Sequence, residues 1–295
     1  MKQITIISGK GGTGKTTVAS NFIKLANNHL AVDCDVDASN LHILFNPEIQ
    51  RKEKFTGGMV AKVTGDCIQC GECEEACRFD AISDSETDIK IDHIKCEGCG
   101  VCIHVCPAST LELKSEEQGE YFVSGIKYCT LVNARLKPAA ENSGLLITRI
   151  RNLAEDIARE QKRDLIIIDG APGIGCPVIS SLTGVDYALI VTEPTLSGIS
   201  DFKRVYEVAK FLNVKTFVCV NKYDLNLENT KKIDEFCGKN DIKRVGNISY
   251  DEEVSSYLSK KKFIVDDARS KAGREISKLW ETLSSYLYSG KQDPE

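Results

Sequence analysis

The strongest guide to the fold of this chain is the glycine-rich stretch Ser8-Gly9-Lys10-Gly11-Gly12-Thr13-Gly14-Lys15-Thr16-Thr17. The apolar run Ile4–Ile7 precedes it, and a helical pattern of apolar residues begins at Val18. From Gly9 the spacing fits G-x-x-x-x-G-K-[ST], which between a strand and a helix is typical of a phosphate-binding loop. Glycines let backbone N–H groups approach phosphate oxygens, and the positive end of the following helix faces the same anion. The stretch therefore predicts a nucleotide site formed by the residues from Gly9 to Thr17.

The two lysines of this stretch have different predicted roles. Lys15 is expected to reach the β- and γ-phosphates, beside the Thr16 hydroxyl as a Mg²⁺ ligand. Lys10 is not needed to hold the phosphates, and its simplest interpretation is an exposed lysine on a loop. The stretch also resembles the deviant P-loop of the MinD/Mrp/ParA ATPases and of the nitrogenase iron protein, in which the early lysine reaches the nucleotide of a partner subunit. That resemblance implies an ATP-sandwiched homodimer, or a pair with a paralogous ATPase.

Alternating carboxylates follow the next predicted strand. Asp33, Asp35 and Asp37 end the run Leu30–Asp37, near the edge at which the glycine-rich loop is expected. Carboxylates beside Mg²⁺ and phosphate hold metal-bound water or orient the attacking water. The run resembles switch I of the MinD class, which implies that Asp35 positions the hydrolytic water and that Asp33 contacts Mg²⁺ through its water ligands. Asp37 has no assigned role, and a capped strand end before a helix is the simpler interpretation of these acids.

A second acid-terminated strand is predicted at Asp164–Asp169. Asp169 fits a Walker B carboxylate, which holds Mg²⁺ through water. Residues 170–177 resemble switch II, which implies that the backbone near Gly173 senses the γ-phosphate. Cys176 lies where the nitrogenase iron protein has a ligand of a cluster shared across its dimer axis. Because Glu-Asn-Ser at residues 141–143 occupies the segment of that protein's second ligand, Cys176 is either a bridging or redox thiol or a plain buried cysteine.

Residues 221–224, Asn-Lys-Tyr-Asp, end the predicted strand Thr216–Asn221 and bear on the choice of nucleobase. They match the N-K-x-D pattern with which GTPases read guanine. They also resemble the Asn-x-Tyr segment of MinD-type ATPases, in which the asparagine binds adenine. Because the early lysine and the switch segments are of the ATPase kind, ATP is the expected nucleotide, with Asn221 and Asp224 as contacts, and GTP is the alternative.

Two cysteine runs between residues 67 and 107 share one spacing. Both read C-x₂-C-x₂-C-x₃-C, the arrangement of bacterial ferredoxins with two [4Fe–4S] clusters, in which the fourth cysteine of a run ligates the other cluster. Zinc is the rival interpretation, but zinc sites commonly use two C-x₂-C pairs rather than four cysteines in each run. The predicted ligands are Cys67, Cys70, Cys73 and Cys106 for the first cluster and Cys77, Cys96, Cys99 and Cys102 for the second.

One position departs from the ferredoxin pattern. Cys77 is followed by Arg78, where the pattern has proline. A cation there is expected to shift the reduction potential of the neighbouring cluster, whereas loss of the proline should leave the ligand set intact. Gly71, Gly98 and Gly100 are expected to let the backbone approach the sulfur atoms.

Composition and charge restrict the functional class. The 295 residues are 42% hydrophobic and 27% charged, as is ordinary for a globular protein, and the net charge of −5 gives no general basic surface for nucleic acid. The N-terminus resembles no signal peptide and no apolar run approaches the length of a membrane span, so a cytoplasmic protein is expected. In that compartment, 13 cysteines indicate metal rather than disulfides. The tail Gly290–Glu295 lacks the basic amphipathic membrane anchor of MinD, so no membrane binding is expected.

The alternation of strands and helices predicts an α/β fold with a doubly wound, mostly parallel sheet of the P-loop NTPase (SIMIBI) class. The expected domains are a discontinuous ATPase domain, residues 1–60 plus 112–295, and an inserted α+β ferredoxin-like module, residues 61–111. Residues 46–66 are predicted to be a surface connection, and residues 116–120 the turn of a small hairpin. Long helices are predicted at about residues 145–162 and 270–288, and another at about residues 201–212.

Together these features predict an ATP-binding and ATP-hydrolysing iron–sulfur protein. ATP binding is expected to close a dimer and hydrolysis to reopen it. The switch would serve electron transfer with a donor or acceptor protein, or the assembly of a metallocofactor on a partner. The alternative is a positioning switch like MinD or ParA, in which the clusters are only structural. A two-cluster relay suits electron input, which favours the redox function.

Overall fold

The computed structural model describes residues 1–84, 89–138, 140 and 142–289. The strands are β1 (Lys2–Ser8), β2 (His29–Asp33), β3 (Glu48–Val63), β4 (Ile82–Asp84), β5 (Ile89–Ile91), β6 (Leu111–Gly125), β7 (Thr130–Leu136), β8 (Leu165–Pro172), β9 (Tyr187–Thr192), β10 (Lys215–Asn221) and β11 (Lys243–Ile248). The helices are α1 (Lys15–Leu25), α2 (Leu41–Phe45), α3 (Glu72–Glu75), α4 (Val101–Val105), α5 (Ser143–Glu160), α6 (Cys176–Leu182), α7 (Leu196–Phe211), α8 (Leu227–Lys239), α9 (Glu253–Ser259) and α10 (Lys271–Ser289). Short 3₁₀ turns lie at Tyr223–Leu225 and Ile264–Asp266.

A nine-stranded sheet is the framework of the described residues, in the order β11-β10-β9-β1-β8-β2-β7-β6-β3. The pairs β1–β8, β1–β9, β2–β7, β2–β8, β9–β10 and β10–β11 are parallel, which confirms the predicted mostly parallel α/β sheet. Because β8 lies between β1 and β2, the carboxyl ends of these three strands share one edge of the sheet. Asp33 on β2 is in register with Asp169 on β8 at that edge.

Helices cover the sheet through apolar faces. On α1, Val18 and Phe22 are buried, and α10 contributes Ile276 and Leu283 to the same core. The rings of Phe22 and Trp280 have centroids 5.0 Å apart. Burial of such side chains stabilises the fold by about 1.5–3 kcal/mol each, so this core holds the edge that carries the glycine-rich loop in a fixed geometry.

The chain divides into two compact units. The first unit comprises Met1–Lys52, Tyr121–Arg135 and the residues from Ser143 onward, and the second comprises Glu53–Glu120 and Leu136–Asn142. The first unit contains the glycine-rich loop and the apolar core just described. The second unit contains both cysteine runs and an antiparallel pair, β4 with β5, in which Ile82 is opposite Ile91.

Two local predictions were wrong. Residues 48–63 form β3, where a surface connection was expected over residues 46–66, and residues 116–120 lie inside β6, where a turn was expected. The turn lies later, where the Ile126 N–H donates to the carbonyl of Cys129 at 2.9 Å. The acidic run is strand because its charges are paired: Glu117 accepts from Lys54 at 2.7 Å and from Lys137 at 3.2 Å.

The long helices were predicted to within two residues, since α5 and α10 begin at Ser143 and Lys271. The α7 helix begins five residues earlier than position 201, at Leu196, because the Thr195 hydroxyl caps it by accepting the Gly198 N–H at 2.9 Å. Among the described residues, no helix combines the length and apolar character that crossing a membrane requires.

Candidate functional site

The glycine-rich loop connects β1 to α1 and presents bare backbone. Gly12 and Gly14 have φ angles of 79° and 93°, in the left-handed region that favours glycine. A Cβ atom on Gly14 would lie 2.2 Å from the side-chain nitrogen of Asn221, whereas a Cβ on Gly11 would meet no atom within 4 Å. The loop is therefore tightly held on one side and open on the other, as an anion cradle requires.

A cavity of about 830 Å³ lies over this loop. Its wall includes Gly11, Gly14, Lys15, Thr16, Asp35 and Asn221. The Thr13 side chain is 2% exposed, and its hydroxyl has no hydrogen-bond partner among the described residues. A buried hydroxyl without a partner costs free energy, but Thr13 is not among the described residues that line the cavity, whereas the bare backbone of Gly11 and Gly14 and the Lys15 side chain are. The residues present therefore fit a nucleoside phosphate.

Lys15 is buried among carboxylates. Its Nζ lies 2.9 Å from Oδ1 of Asp169 and 3.6 Å from Oδ2 of Asp35. Burial by itself lowers the pKa of Lys15, but the charges of Asp169 and Asp35 outweigh it and the pKa is raised. Burial raises the pKa of Asp169 as well, although Lys15 opposes the shift. One lysine among several carboxylates leaves a negative centre beside the phosphate cradle, which is what a Mg²⁺ site requires.

Asp33 fixes the segment that carries Asp35. Its carboxylate accepts the Ser39 hydroxyl at 2.7 Å and the backbone N–H groups of Asp35, Asn40 and Leu41 at 3.1, 3.2 and 3.1 Å. Burial, and then the charge of Asp169, raise the pKa of Asp33 to about 7. Asp35 and Asp37 reach the cavity wall. Asp33 thus acts on the described site by shaping the loop after β2.

Gly173 ties the segment after β8 to the glycine-rich loop. Its N–H donates to the carbonyl of Ser8 at 2.9 Å, and its φ angle is 98°. A side chain at this φ would be strained. The hydrogen bond places the backbone of Gly173 directly beside the start of the loop.

Lys10 turns away from the loop centre and binds within its own chain. Its Nζ lies 2.7 Å from Oε1 of Glu193 and 3.0 Å from the Ser197 hydroxyl. Thr195 is a weaker contact at 3.4 Å. Lys10 is therefore an ion-paired lysine in this structure rather than a free surface lysine.

Asn221 and Asp224, the two ends of the predicted base-binding segment, make hydrogen bonds to different loops. The Asn221 side chain donates to the carbonyl of Thr13 at 2.8 Å and so fastens the glycine-rich loop. Asp224 accepts the N–H of Tyr250 at 2.8 Å. Asn221 and Tyr250 line the cavity, but Asp224 is not among the described residues that do. The aspartate that would read guanine in the N-K-x-D pattern is thus engaged in holding the loop after β11.

In the second unit, the eight clustered cysteines divide into two sets of four. One small cavity is lined by Cys67, Cys70, Cys73 and Cys106, and another by Cys77, Cys96, Cys99 and Cys102. Among the described residues, no three His, Cys, Asp or Glu side chains lie close enough to hold a single metal ion. A [4Fe–4S] cluster is larger, and its four thiolates lie at its corners. The donor set and its two-by-four division fit two such clusters.

Backbone donors also face these sulfur atoms. The Gln69 N–H lies 3.3 Å from Sγ of Cys67, and the Ala61 N–H lies 3.5 Å from Sγ of Cys96. Such contacts stabilise negative charge on sulfur. Gly98 is required for another reason, since a Cβ there would lie 2.1 Å from the carbonyl oxygen of Met59. The loop geometry therefore supports thiolate ligands as well as close packing.

Comparison with known families agrees with the site in the first unit. Residues 4–264 match the family described as the CobQ/CobB/MinD/ParA nucleotide binding domain. The chain belongs to this family. The family is one of nucleotide-binding domains of the MinD/ParA ATPase type, and the matched residues include the glycine-rich loop and the strands that carry Asp33 and Asp169.

Individual relatives and one solved structure are similar to all or part of the chain. The uncharacterized protein MJ0578 of Methanocaldococcus jannaschii is 35% identical over 288 residues, which cover 97% of each chain. The uncharacterized ferredoxin MJ0722 of the same organism is 40% identical over 42 residues, or 14% of this chain and 54% of that protein. The structure of the septum site-determining protein MinD of Pyrococcus horikoshii in complex with Mg-ADP has a TM-score of 0.60 at 18% identity and covers 99% of each chain. That last likeness is one of fold.

The remaining cysteine of interest in this MinD/ParA-type ATPase is Cys176. It is exposed at the first residue of α6, against the start of α5, where a Cβ on Gly144 would lie 3.4 Å from its Cβ. The interpretation of Cys176 as a plain buried cysteine was wrong, because its thiol is exposed. Of residues 141–143, which occupy the segment of the iron protein's second ligand, Glu141 lies outside the described residues. Cys129, in contrast, is half-buried, and burial raises its pKa to about 12.

Sequence reasoning missed three contributors to the nucleotide site. Glu193 binds Lys10, Ser39 binds Asp33, and the residues 249–251 after β11 form part of the cavity wall. The signal for Glu193 was its position directly after a parallel strand that neighbours β1, since the carboxyl ends of such strands meet at the site. Ser39 carried only the weaker signal of a hydroxyl near the start of a helix.

Proposed function

We propose that this chain is an ATP-hydrolysing iron–sulfur protein whose nucleotide-driven dimer switch is coupled to electron transfer through two [4Fe–4S] clusters or to metallocofactor assembly. The observation that carries this proposal is the division of eight cysteines into two sets of four in a chain that also has a family nucleotide site. Two clusters at this spacing suit the passage of electrons better than the support of a loop alone. The ferredoxin relative supports the same conclusion.

Five side chains carry the proposed hydrolysis. Lys15 neutralises the β- and γ-phosphates and leaves Asp169 free to hold Mg²⁺ through water, together with the Thr16 hydroxyl. Asp35, on the cavity wall, orients the attacking water. Asp33 keeps Asp35 in place through the Asp35 N–H, which it accepts at 3.1 Å. The Gly173 N–H donates to the Ser8 carbonyl at 2.9 Å, so it would sense a γ-phosphate by exchanging that acceptor for a phosphate oxygen.

The base is proposed to be adenine. Asp224 is occupied by the Tyr250 N–H at 2.8 Å, so reading guanine would require that bond to break. Asn221 fastens the glycine-rich loop and faces the cavity. Competition of unlabelled ATP and GTP for a bound fluorescent nucleotide tests this choice, and tighter binding of GTP would overturn it.

In the second unit, Cys67, Cys70, Cys73 and Cys106 hold the first proposed cluster, and Cys77, Cys96, Cys99 and Cys102 hold the second. When bound, these clusters supply one-electron redox chemistry. Burial raises the thiol pKa of Cys73 and Cys102, so ligation by thiolate has to overcome that desolvation. The Thr110 hydroxyl, 3.5 Å from Sγ of Cys106, lowers the pKa of that thiol. The partner is an electron donor or acceptor, or a protein that receives a metallocofactor.

Anaerobic electron paramagnetic resonance of the reduced, cluster-loaded chain tests the coupling. Spectra and midpoint potentials are recorded with and without Mg·ATP for the wild type, Lys15→Ala and Lys10→Ala. The wild type is expected to shift with ATP. Lys15→Ala is expected not to shift because it cannot hold the phosphates, and Lys10→Ala because it binds ATP without closing the dimer.

Three outcomes would contradict the proposal in whole or in part. Spectra of the wild type that ignore ATP would refute coupling and favour a positioning switch with structural clusters, the alternative suggested by the likeness in fold to MinD. A shift of equal size in Lys15→Ala would show that the spectral change does not come from this nucleotide site. If ATP shifts the spectra of the wild type and of Lys10→Ala but not those of Lys15→Ala, the coupling to ATP stands and the role of the dimer is refuted.

A further inference from the structure

Glu193 bridges two lysines from different loops of the nucleotide site. Oε1 lies 2.7 Å from Nζ of Lys10, and Oε2 lies 3.4 Å from Nζ of Lys222. The Glu193 side chain is 13% exposed, whereas Lys10 and Lys222 are 30% and 31% exposed. Burial by itself raises the pKa of Glu193, but the two lysines outweigh it and the pKa is lowered. The carboxylate is therefore the negative member of a shared, partly buried ion pair.

The backbone holds Glu193 rigidly at this point. Its carbonyl accepts the Thr195 N–H at 2.8 Å, directly after β9. A Cβ on Gly198 would lie 2.4 Å from that same carbonyl oxygen, so the first turn of α7 packs closely against it. Of the two partners in the Lys10–Glu193 pair, the lysine is thus the one with freedom to move.

We infer that Glu193 is a positioning residue that retains Lys10 within its own subunit until a second copy of the chain docks. The inference rests on the proposed ATP-dependent dimer, in which Lys10 reaches the nucleotide of the partner. Lys10 cannot make that contact while its Nζ stays at 2.7 Å from Glu193. When Lys10 leaves, Lys222 still pairs with the Glu193 carboxylate. The carboxylate therefore stays in place for Lys10 to return to.

The size of the effect follows from the exposure of the pair. A partly exposed ion pair with one charge-assisted hydrogen bond is worth about a threefold change in an equilibrium constant. In a symmetric dimer both copies release Lys10, so the dimerisation constant contains this threefold factor twice. Removal of the Glu193 charge is therefore expected to tighten dimerisation by about tenfold.

Sedimentation of the full, cluster-loaded chain with a saturating Mg²⁺ complex of a non-hydrolysable ATP analogue tests the inference. Glu193→Gln is expected to lower the dimer dissociation constant by about tenfold. Lys222→Gln is expected to raise it, because the departing Lys10 then leaves Glu193 unpaired. Asp186→Asn removes a carboxylate that pairs with Lys2 at 3.0 Å, before the opposite end of β9, and is expected to change nothing. Calorimetric titration of each variant checks that the analogue saturates the site.

The outcomes separate this inference from the proposed function. A wild type that stays monomeric with the analogue would refute the dimer, and the role of Glu193 with it. A wild type that dimerises, with Glu193→Gln dimerising equally or less readily, would refute only the role of Glu193. Tighter dimerisation of Lys222→Gln would contradict the sharing of the Glu193 carboxylate between two lysines. If Asp186→Asn lowers the dimer dissociation constant as much as Glu193→Gln does, the effect comes from overall charge.

Discussion

The two compact units of this chain owe their order to different sources. The first unit buries a continuous apolar core between sheet and helices, which includes Phe22, Phe217 and Ile276. In the described part of the second unit, the buried apolar cluster consists of Ala61, Cys73, Ile82, Cys102 and Leu111. Two of these five are proposed cluster ligands. A small unit with so little apolar core usually needs a metal or disulfides to fold.

This difference has a functional consequence. Folding alone is expected to prepare the candidate nucleotide site, because Lys15 already contacts the buried Asp169 and the partly buried Asp35. The cysteine sites are expected to depend on the proposed clusters, because a metal centre rarely finds its site preformed in an apo chain. Four experiments test this contrast.

Removal of iron is expected to have the largest effect. An anaerobically purified chain treated with a chelator should lose amide protection throughout residues 53–84 and 89–120, because binding and folding are coupled there. Residues of β1, β8 and α1 should keep their protection, since their core contains no proposed cluster ligand. Hydrogen exchange followed by mass spectrometry measures both in one sample. Protected amides in β4 and β5 of the iron-free chain would show that the second unit folds without bound iron.

The glycine-rich loop offers a test of the preorganised unit with a matched control. Gly14→Ala is expected to lower the free energy of unfolding by about 2–4 kcal/mol, because the methyl group meets Asn221 and the φ angle is left-handed. Gly11→Ala should change it by less than about 0.5 kcal/mol, because its Cβ meets no atom within 4 Å. Urea unfolding of the nucleotide-free chain, followed by fluorescence of the single tryptophan, Trp280, measures both. Equal losses would show that the loop is not held by Asn221.

The sequence predicted the parts of each site whose partners are fixed by spacing. Lys15 and Asp169 were predictable because the carboxyl ends of parallel strands converge, and the cysteine sets because the ferredoxin spacing dictates them. Glu193 carried only the signal of its place directly after a strand, and its contact with Lys10 could not be predicted because that contact depends on how β9 lies beside β1. The strand character of residues 116–120 was missed because the lysines that pair with Glu117 lie far away in sequence.

A buried histidine gives the first unit an acid dependence. His29 on β2 is 1% exposed, and neither ring nitrogen has a hydrogen bond of good geometry among the described residues. Burial, and then the charge of Arg163, lower its pKa to about 4. An unfolded histidine has a pKa of about 6.5, so the unfolded state binds more protons between these values. The contribution of His29 to the free energy of unfolding is therefore complete above about pH 6.5, where the imidazole is neutral in both states, and is lost as the pH falls towards 4.

His29→Leu is therefore expected to reduce the acid-induced loss of stability by at most about 3 kcal/mol. Urea unfolding between pH 4.5 and 7.5, again followed by Trp280, measures the difference as a function of pH. His104→Gln changes an exposed histidine of the second unit and should leave the Trp280 transition of the first unit unchanged. Parallel pH profiles of the wild type and His29→Leu would assign the acid dependence to other groups.

The smallest expected effect concerns Arg78, which replaces the proline of the ferredoxin pattern. Arg78 directly follows the proposed ligand Cys77 in the sequence. Its guanidinium lies 5.3 Å from the centroid of the Phe79 ring. A nearby cation favours the more negative, reduced state of a cluster. Arg78→Gln is therefore expected to lower one of the two midpoint potentials by on the order of 30 mV, because an exposed charge is strongly screened.

An anaerobic redox titration followed by electron paramagnetic resonance measures this shift. Lys114→Gln is the matched control, because it removes an exposed cation of the same unit that pairs with Glu112 at 3.7 Å and is not adjacent to any proposed ligand in the sequence. A lower potential in Arg78→Gln alone would mean that this chain tunes one cluster through a single position. Equal shifts in both variants would show that the cluster potentials follow the net charge of the second unit, and the departure from proline would then have no specific redox effect.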